Sequence, residues 1–333
     1  MTASILVTGA AGFIGYHVAR RLIERGESVI GIDSINGYYD PKLKRDRLSK
    51  LEKLGGDFTF SRTDFTDCGE LDAAMEAFDF DRIVHLGAQP GVRYSLENPR
   101  AYIEANVVGH LNILELARMR ATTHMVYASS SSVYGQNAKI PFSVDDRVDH
   151  PVSLYAATKK SDELISETYS HLYRLPQTAL RFFTVYGPWG RPDMAPWLFT
   201  EAILKGEPIK LFNHGKMRRD FTFVDDIVAG VIAALDRAPA DNGEVKAGGS
   251  HSPHAIYNIG NSQTEELARF VEVIEQACGR TAEKIMLPMQ AGDVPVTYAE
   301  IDDITRDLGY RPTTTIDVGI PAFVDWYRDY KGV

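Results

Sequence analysis

Tyr155 and Lys159 lie four residues apart in Ser153-Leu-Tyr-Ala-Ala-Thr-Lys, downstream of a serine run from Ser129 to Ser132. On a helix, residues four apart share a face, which brings the ammonium of Lys159 towards the phenol of Tyr155. A free phenol has a pKa of about 10 and is a poor base at neutral pH. A neighbouring cation favours the phenolate, towards the range in which general bases work best. The pair is the minimum equipment for taking a proton from a hydroxyl and returning it. The same spacing also occurs on any exposed helix that carries an ordinary Tyr and Lys, so the rest of the chain must supply the context.

That context begins at Val7-Thr-Gly9-Ala-Ala-Gly12-Phe-Ile-Gly15, which follows a short apolar run and opens an amphipathic one. A glycine turn between strand and helix lets backbone approach a pyrophosphate, whose charge is met by the helix N-terminus. The spacing is G-x-x-G-x-x-G, and taken alone it also fits a tight turn with no ligand. Asp33 strengthens the pattern. It ends the next apolar run 18 residues after Gly15, where a carboxylate meets an adenosine ribose. No arginine follows Asp33 immediately to receive a 2′-phosphate, which favours NAD over NADP. Asp64-Phe65 is placed either to border the adenine or to serve as an acidic turn, and Leu86 to Gln89 presents small residues where the chain must pass close to the cofactor.

The elements that position these groups read as an α/β chain. Ile5–Val7, Val29–Ile32, Phe58–Ser61, Arg82–Leu86, His124–Ser129 and Thr178–Phe182 have the texture of buried strands. Between them Phe13–Arg25, Ala101–Arg118 and Tyr155–Tyr173 are amphipathic. Strands alternating with helices predict βαβ units and a Rossmann-type doubly wound parallel sheet, whose ligands sit beyond the carboxyl ends of the strands. Residues 1–185 are expected to form this NAD-binding domain, with about 221–258 partly returning to it and Phe221–Leu235 rejoining the main sheet. Residues 186–333, with shorter elements, more prolines and scattered aromatics, are expected to form a smaller α/β substrate-binding lobe. Ala238–Ser252, rich in Gly, Ala and polar residues, reads as a surface loop.

Composition narrows the classes further. The 44% hydrophobic and 24% charged residues are those of a globular protein. A formal net charge of −9 argues against nucleic acid as a partner. No apolar run approaches the ~20 residues that span a bilayer, and the early entry into Ser4-Ile-Leu-Val-Thr leaves no room for a secretory leader. Two distant cysteines, Cys68 and Cys278, lack metal-ligand spacing and suit a reducing, cytoplasmic compartment.

The glycine turn, serine run, Tyr155 and Lys159 together resemble the extended short-chain dehydrogenase/reductase family, and within it the nucleotide-sugar epimerases, most closely those acting on UDP-glucuronate at C4. The segments that carry the finer resemblance are Gly31-Ile-Asp-Ser-Ile-Asn-Gly-Tyr-Tyr-Asp-Pro-Lys-Leu-Lys, Gly91-Val-Arg-Tyr-Ser, Gly187-Pro-Trp-Gly-Arg-Pro-Asp-Met-Ala and Lys216-Met-Arg-Arg-Asp-Phe-Thr. They span both halves of the chain. Gly87 and Pro90 depart from the alanines of many relatives, and Gln290 stands where glucose-type epimerases have arginine and glucuronate-type enzymes commonly have glutamine. The resemblance implies a tightly held NAD, a UDP-sugar substrate and a homodimer built on two helices per subunit.

It also implies roles. Tyr155 would act as base and acid at the sugar 4-hydroxyl, Ser130 would hydrogen-bond the same oxygen, and Lys159 would tune Tyr155 and hold the nicotinamide ribose. The cofactor would further be bordered by Gly9, Gly12, Phe13, Ile14, Gly15, Asp33, Asn36, Asp64, Phe65, Leu86, Gly87, Ala88, Gln89, Asn106, Ser129, Phe182 and Val185. On the substrate side stand Arg219 for the diphosphate, Asp293 for the uridine ribose, Lys210 to Phe212 along the uracil, and Ser131, Ser132 and Thr184 as neutral hydrogen-bonding groups. Arg191 is expected to help clamp a sugar carboxylate, unless it pairs with Asp193 on a surface turn. Arg93 is either a second anion contact or a surface charge that initiates a helix. Related dehydratases carry an Asp-Glu pair, and related decarboxylases a glutamate, where this chain has Ser131 and Ser132. The expectation is therefore UDP-glucuronate 4-epimerisation. The alternatives are a UDP-pentose-forming decarboxylase, a UDP-hexose 4-epimerase, or an NAD-binding scaffold without catalysis.

Overall fold

The computed structural model describes residues 4–290 and 292–333. Its first half runs β1 (Ser4–Thr8), α1 (Phe13–Glu24), β2 (Val29–Asp33), α2 (Pro41–Glu52), β3 (Phe58–Arg62), α3 (Cys68–Met75) and β4 (Phe80–His85). Two single turns, α4 (Tyr94–Glu97) and α5 (Pro99–Tyr102), lead through a π-helical segment, Ile103–Val108, into α6 (Gly109–Met119). Then come β5 (His124–Ser130), a 3₁₀ turn at Ser131–Tyr134, α7 (Leu154–Tyr173) and β6 (Gln177–Phe182). The second half holds β7 (Thr184–Tyr186), α8 (Ala195–Lys205), β8 (Ile209–Leu211), β9 (Arg218–Arg219), β10 (Phe221–Phe223), α9 (Val224–Leu235), β11 (His254–Ile259), β12 (Glu265–Glu266), α10 (Leu267–Cys278), β13 (Lys284–Met286), α11 (Asp302–Leu308) and α12 (Ile316–Lys331).

Seven strands form one sheet in the order β11-β6-β5-β4-β1-β2-β3, parallel throughout. Such a sheet needs cover on both faces, and the pleat divides the side chains accordingly. Ile5, Val7 and Val84 join the core under α1 and α9, while Leu6, Ile83 and Met125 join the opposite core with residues of α3 and α6. The strand order reverses between β1 and β4, so the crevice for a ligand lies at their carboxyl ends.

Phe221–Leu235 does not rejoin the main sheet as a strand. Phe221–Phe223 pairs instead with β7 in a separate parallel ladder. Val224–Leu235 coils into α9, whose apolar face, with Val224, Ile227, Val228 and Val231, packs in the same core as α1. The returning strand is β11, His254–Ile259, which pairs with β6. A second core gathers Trp197, Phe199, Phe221, Phe270, Ile320 and Phe323 from α8, β10, α10 and α12, with the rings of Phe221 and Phe270 stacked 3.9 Å apart. Burying one such ring contributes about 1.5–3 kcal/mol, and the cluster as a whole joins the short elements of the second half. Trp189 packs against both cores and joins them.

Candidate active site

The turn from β1 to α1 accepts only glycine at its corners. Gly9 has φ +69°, and a Cβ there would lie 2.8 Å from the Gly87 nitrogen. A Cβ at Gly15 would lie 2.0 Å from the Gly9 carbonyl oxygen. The chain is thereby held close to the β4 end, and α1 starts with no side-chain cap on its first amides, so these remain donors for an anion. Phe13 is buried in the core beneath the turn and Ile14 is half-buried beside it.

Asp33 ends β2 as a buried residue, 7% exposed, and its carboxylate accepts the Ile35 amide at 2.8 Å. The glycine cradle and this acid fit a dinucleotide: backbone room for the pyrophosphate, a buried acceptor for a ribose. Asn36 is exposed, and its Oδ1 accepts from Lys44. Asp64 accepts the amide and hydroxyl of Thr66, and the buried ring of Phe65 lies where a Cβ on Gly87 would go, 2.5 Å from it. Leu86 and Ala88 are half-buried past β4, with Gly87 and Gln89 buried.

Asn106 grips Gln89 from both sides, accepting its amide at 2.8 Å and donating to its carbonyl at 3.2 Å, and donates also to the Thr158 hydroxyl. Asn106 therefore shapes the cofactor loop through protein contacts. Ser129 departs from the expectation more sharply. Strand alternation turns its hydroxyl to the side opposite Ser130, where it donates to Glu163 at 2.7 Å. Only its backbone is left for a cofactor. Phe182 and Val185 are buried at the carboxyl end of β6 and in β7.

Ser130 closes β5, and its hydroxyl accepts the Ser132 amide at 3.2 Å, turning the chain into the Ser131–Tyr134 turn. Gly135 then takes φ +51°, with the His150 carbonyl 2.1 Å from where a Cβ would stand. This close approach returns the chain to Ser153, which caps α7 by accepting the Ala156 amide at 3.1 Å. Tyr155 follows on the first turn, half-buried, with the ring of Tyr102 edge-on at 6.0 Å. Lys159 is buried one turn later, and its Nζ donates to Asp162 Oδ2 at 2.8 Å. Burial raises the Asp162 carboxyl to about 6, against the opposing pull of Lys159. Behind Lys159 lies the His85 imidazole, which burial holds at about 3 and thus neutral.

Ser131, Ser132, Thr184, Arg219 and Asp293 line one cavity of about 130 Å³, which Ser153 also borders. Arg219 Nη2 donates to Asp293 Oδ1 at 2.9 Å. Arg93 Nη2 reaches the other Asp293 oxygen at 3.9 Å, and its guanidinium lies 4.8 Å from the centre of the Phe212 ring. Lys210 sits on β8 with its side chain exposed, and the Leu211 carbonyl is taken by the Leu287 amide. Arg191 stands apart from that cavity. Its guanidinium grips Asp193 through Nε at 3.0 Å and Nη2 at 2.5 Å, and Asp193 also accepts from the Tyr38 hydroxyl. A Cβ on Gly91 would contact the Tyr38 and Tyr102 hydroxyls and Arg191 together. Asp193, with help from the Tyr38 and Tyr155 hydroxyls, pushes the Arg191 pKa up against burial.

Sequence reading missed Lys44, Arg47, Tyr102 and Asp162. Lys44 is buried with Nζ 3.8 Å from Asp33, and burial lowers its pKa. A faint signal existed. Lys44 and Arg47 share a face of α2 with Leu48 and Leu51, which are buried. Among the described residues no group of His, Cys, Asp or Glu gathers to hold a metal, and no helix is long and apolar enough to cross a membrane.

Residues 5–260 match the NAD dependent epimerase/dehydratase family. Protein CapI of Staphylococcus aureus is 51% identical over 98% of each chain. A probable UDP-glucuronate 4-epimerase of Rhizobium meliloti is 48% identical, covering 98% of this chain and 97% of its own. The crystal structure of the UDP-glucuronic acid 4-epimerase of Bacillus cereus in complex with UDP-glucuronic acid and NAD superposes with a TM-score of 0.85. It is 31% identical and covers 98% of this chain and 99% of its own.

Proposed function

This chain belongs to the NAD dependent epimerase/dehydratase family, and we propose that it is an isomerase, an NAD-dependent UDP-glucuronate 4-epimerase that yields UDP-galacturonate. Full-length identity to a probable UDP-glucuronate 4-epimerase supports the substrate. The observation that carries the reaction type is the turn after Ser130, which brings the hydroxyls of Ser131 and Ser132 rather than acids to a cavity shared with Ser153, the cap of the helix that carries Tyr155 and Lys159.

The glycine cradle with Asp33, and the loop from Leu86 to Gln89, hold the dinucleotide, and Lys159 takes its nicotinamide ribose. Bound NAD supplies the hydride acceptor for the sugar C4 and returns the hydride, so net redox change is zero. Tyr155 as phenolate takes the 4-hydroxyl proton and later gives it back, while Ser130 holds the same oxygen. Inversion requires the oxidised sugar to turn over within the site, so the protein must anchor the diphosphate and leave the pyranose loose. Arg219 and Arg93, drawn together by Asp293, are suited to the anchor.

A 4-keto uronate is a β-keto acid that loses carbon dioxide readily. Ser131, Ser132 and Thr184 offer it neutral hydrogen bonds, without the acid and base that elimination needs. Arg191 supplies the carboxylate clamp in this reading, and the substrate must then share or displace the grip of Asp193. The protein acts in the cytoplasm, where its free Cys68 and Cys278 stay reduced. It works as a homodimer. The outward faces of α6 and α7 carry exposed Leu111, Met119, Leu164 and Leu172, an apolar surface that suits a second copy. A solution mass of one chain would contradict the dimer. For the reaction, Tyr155→Phe should retain NAD and abolish conversion of UDP-glucuronate; unchanged turnover would assign the chemistry elsewhere.

A further inference from the structure

We propose that Arg47 is a positioning residue that ties the glycine turn of the cofactor site to the loop carrying Arg191, coupling dinucleotide binding to recognition of the sugar carboxylate. The proposal rests on the functional reading above for Arg191. Arg47 lies on α2, fully buried. Its Nη1 donates to the Ala11 carbonyl at 2.9 Å and to the Tyr39 hydroxyl at 2.7 Å. Its Nη2 donates to the carbonyls of Trp189 at 2.6 Å and Gly190 at 3.3 Å.

Ala11 lies inside the glycine turn, between Gly9 and Gly12, and Gly190 immediately precedes Arg191. One guanidinium thus joins segments 142 residues or more apart on its Trp189 side and 36 apart on its Ala11 side. Trp189 takes φ +61°, left-handed backbone that a bulky residue rarely adopts, and the short bond to Arg47 holds its carbonyl in that orientation. A second route runs in parallel. Tyr39, bonded to Arg47, neighbours Tyr38, which donates to Asp193, the carboxylate that grips Arg191.

Packing alone does not account for a charge at this place. Among the described residues no carboxylate lies within ion-pair distance of Arg47, and its Nε has no hydrogen-bond partner. A buried cation without a counter-charge is a costly way to fill space, whereas a methionine would fill it without joining anything. Only a planar fork reaches carbonyls on two sides at once. A lysine keeps the charge and loses the bridge.

The test uses purified full-length protein: wild type, Arg47→Met and Arg47→Lys. NAD retained after gel filtration is measured, with calorimetric affinities for UDP-glucuronate and UDP-glucose. Arg47→Met should lose NAD and narrow the preference for UDP-glucuronate by about tenfold. Arg47→Lys, which keeps the charge and loses the fork, should not recover that preference. Equal weakening of both UDP-sugars, or full NAD retention with the wild-type preference, would reduce Arg47 to packing and overturn the proposal. A wild-type arm does not depend on either variant folding: removing NAD should narrow the same preference, and an unchanged preference also overturns it. A wild type that binds UDP-glucose as well as UDP-glucuronate would instead contradict the functional reading. NAD retention in Arg47→Met would then still decide the tie to the glycine turn.

Discussion

Arg191 poses the sharpest question at the scale of single residues, because its fork is already engaged. Asp193 holds Nε and Nη2 in the geometry a substrate carboxylate would use. The pair is neutral as it stands, so a uronate gains from it only by drawing the guanidinium away from Asp193. Arg191→Ala should therefore lower kcat/KM for UDP-glucuronate far more than for UDP-glucose, by about 10- to 100-fold, the range of a charge-assisted bidentate contact. Equal losses on both sugars would give Arg191 another role. The expectation that it pairs with Asp193 and the expectation that it meets a carboxylate were both legible in Arg191-Pro-Asp193; that they compete was not. That Tyr155 and Lys159 share a helix was legible because helical spacing is local. Lys44 and Arg47 were not, since charges in Lys42-Leu-Lys44-Arg-Asp-Arg47 look solvated until Asp33 and Asn36 are known to meet Lys44, and Ala11, Trp189 and Gly190 to meet Arg47.

The alternation of strands and helices was readable because β1, β2, β5 and β6 are buried almost throughout, and α1, α2 and α7 start at a glycine or a side-chain cap. What escaped was anything decided by a distant partner. The Ala101–Arg118 stretch reads as one amphipathic helix, but it winds through a π turn at Ile103–Val108 that aims Asn106 at Gln89. Helix α7 is inverted: Thr158, Lys159, Asp162, Glu163, Ser166 and Ser170 face inward, while Leu164 and Leu172 face out. Its polar face is stable inside because Thr158, Ser166, Ser170 and above all Glu163 find partners on other elements, while Lys159 pairs with Asp162 within the helix. Glu163 accepts from Arg181 on β6 at 2.8 and 3.0 Å and from Ser129 on β5. Arg181, Lys160 and Ser129 together outweigh burial and hold its carboxyl at about 2. A depressed carboxylate stabilises the fold above its ordinary pKa, and the stabilisation is lost as pH falls towards 2. Glu163→Gln should thus cost about 3–5 kcal/mol at neutral pH by leaving Arg181 unpaired. Urea unfolding across pH should show that penalty shrinking below the ordinary carboxylate range. A penalty independent of pH would mean the bond network, not the charge, carries the stability. Asp162 and Asp220, each raised to about 6 by burial, act in the opposite sense. Their ionisation costs stability as pH rises through that value, so the comparison must be made between variant and wild type at each pH.

Over the whole molecule the sheet delivers Asp33, Gly87 and Ser130 to one rim, and the second core presents Arg219 and Asp293 to the Ser131–Ser132 turn across a single cavity. Texture alone leads to the expectation of two lobes. Which strand crosses back to the main sheet is decided at a distance: β11 follows the loop around Ala238–Ser252, and no local pattern marks a strand for the sheet it will join. The arrangement starts an oxidation at C4 and sets Ser131 and Ser132 where related dehydratases and decarboxylases carry their acids. That restraint separates epimerisation from elimination and decarboxylation. Proton NMR of the purified protein with UDP-glucuronate tests it most directly. Galacturonate-type signals should grow in at the expense of glucuronate, to a stable mixture with no loss of carbon dioxide. Accumulation of a UDP-pentose, or inertness towards UDP-glucuronate while UDP-glucose epimerises, would contradict it.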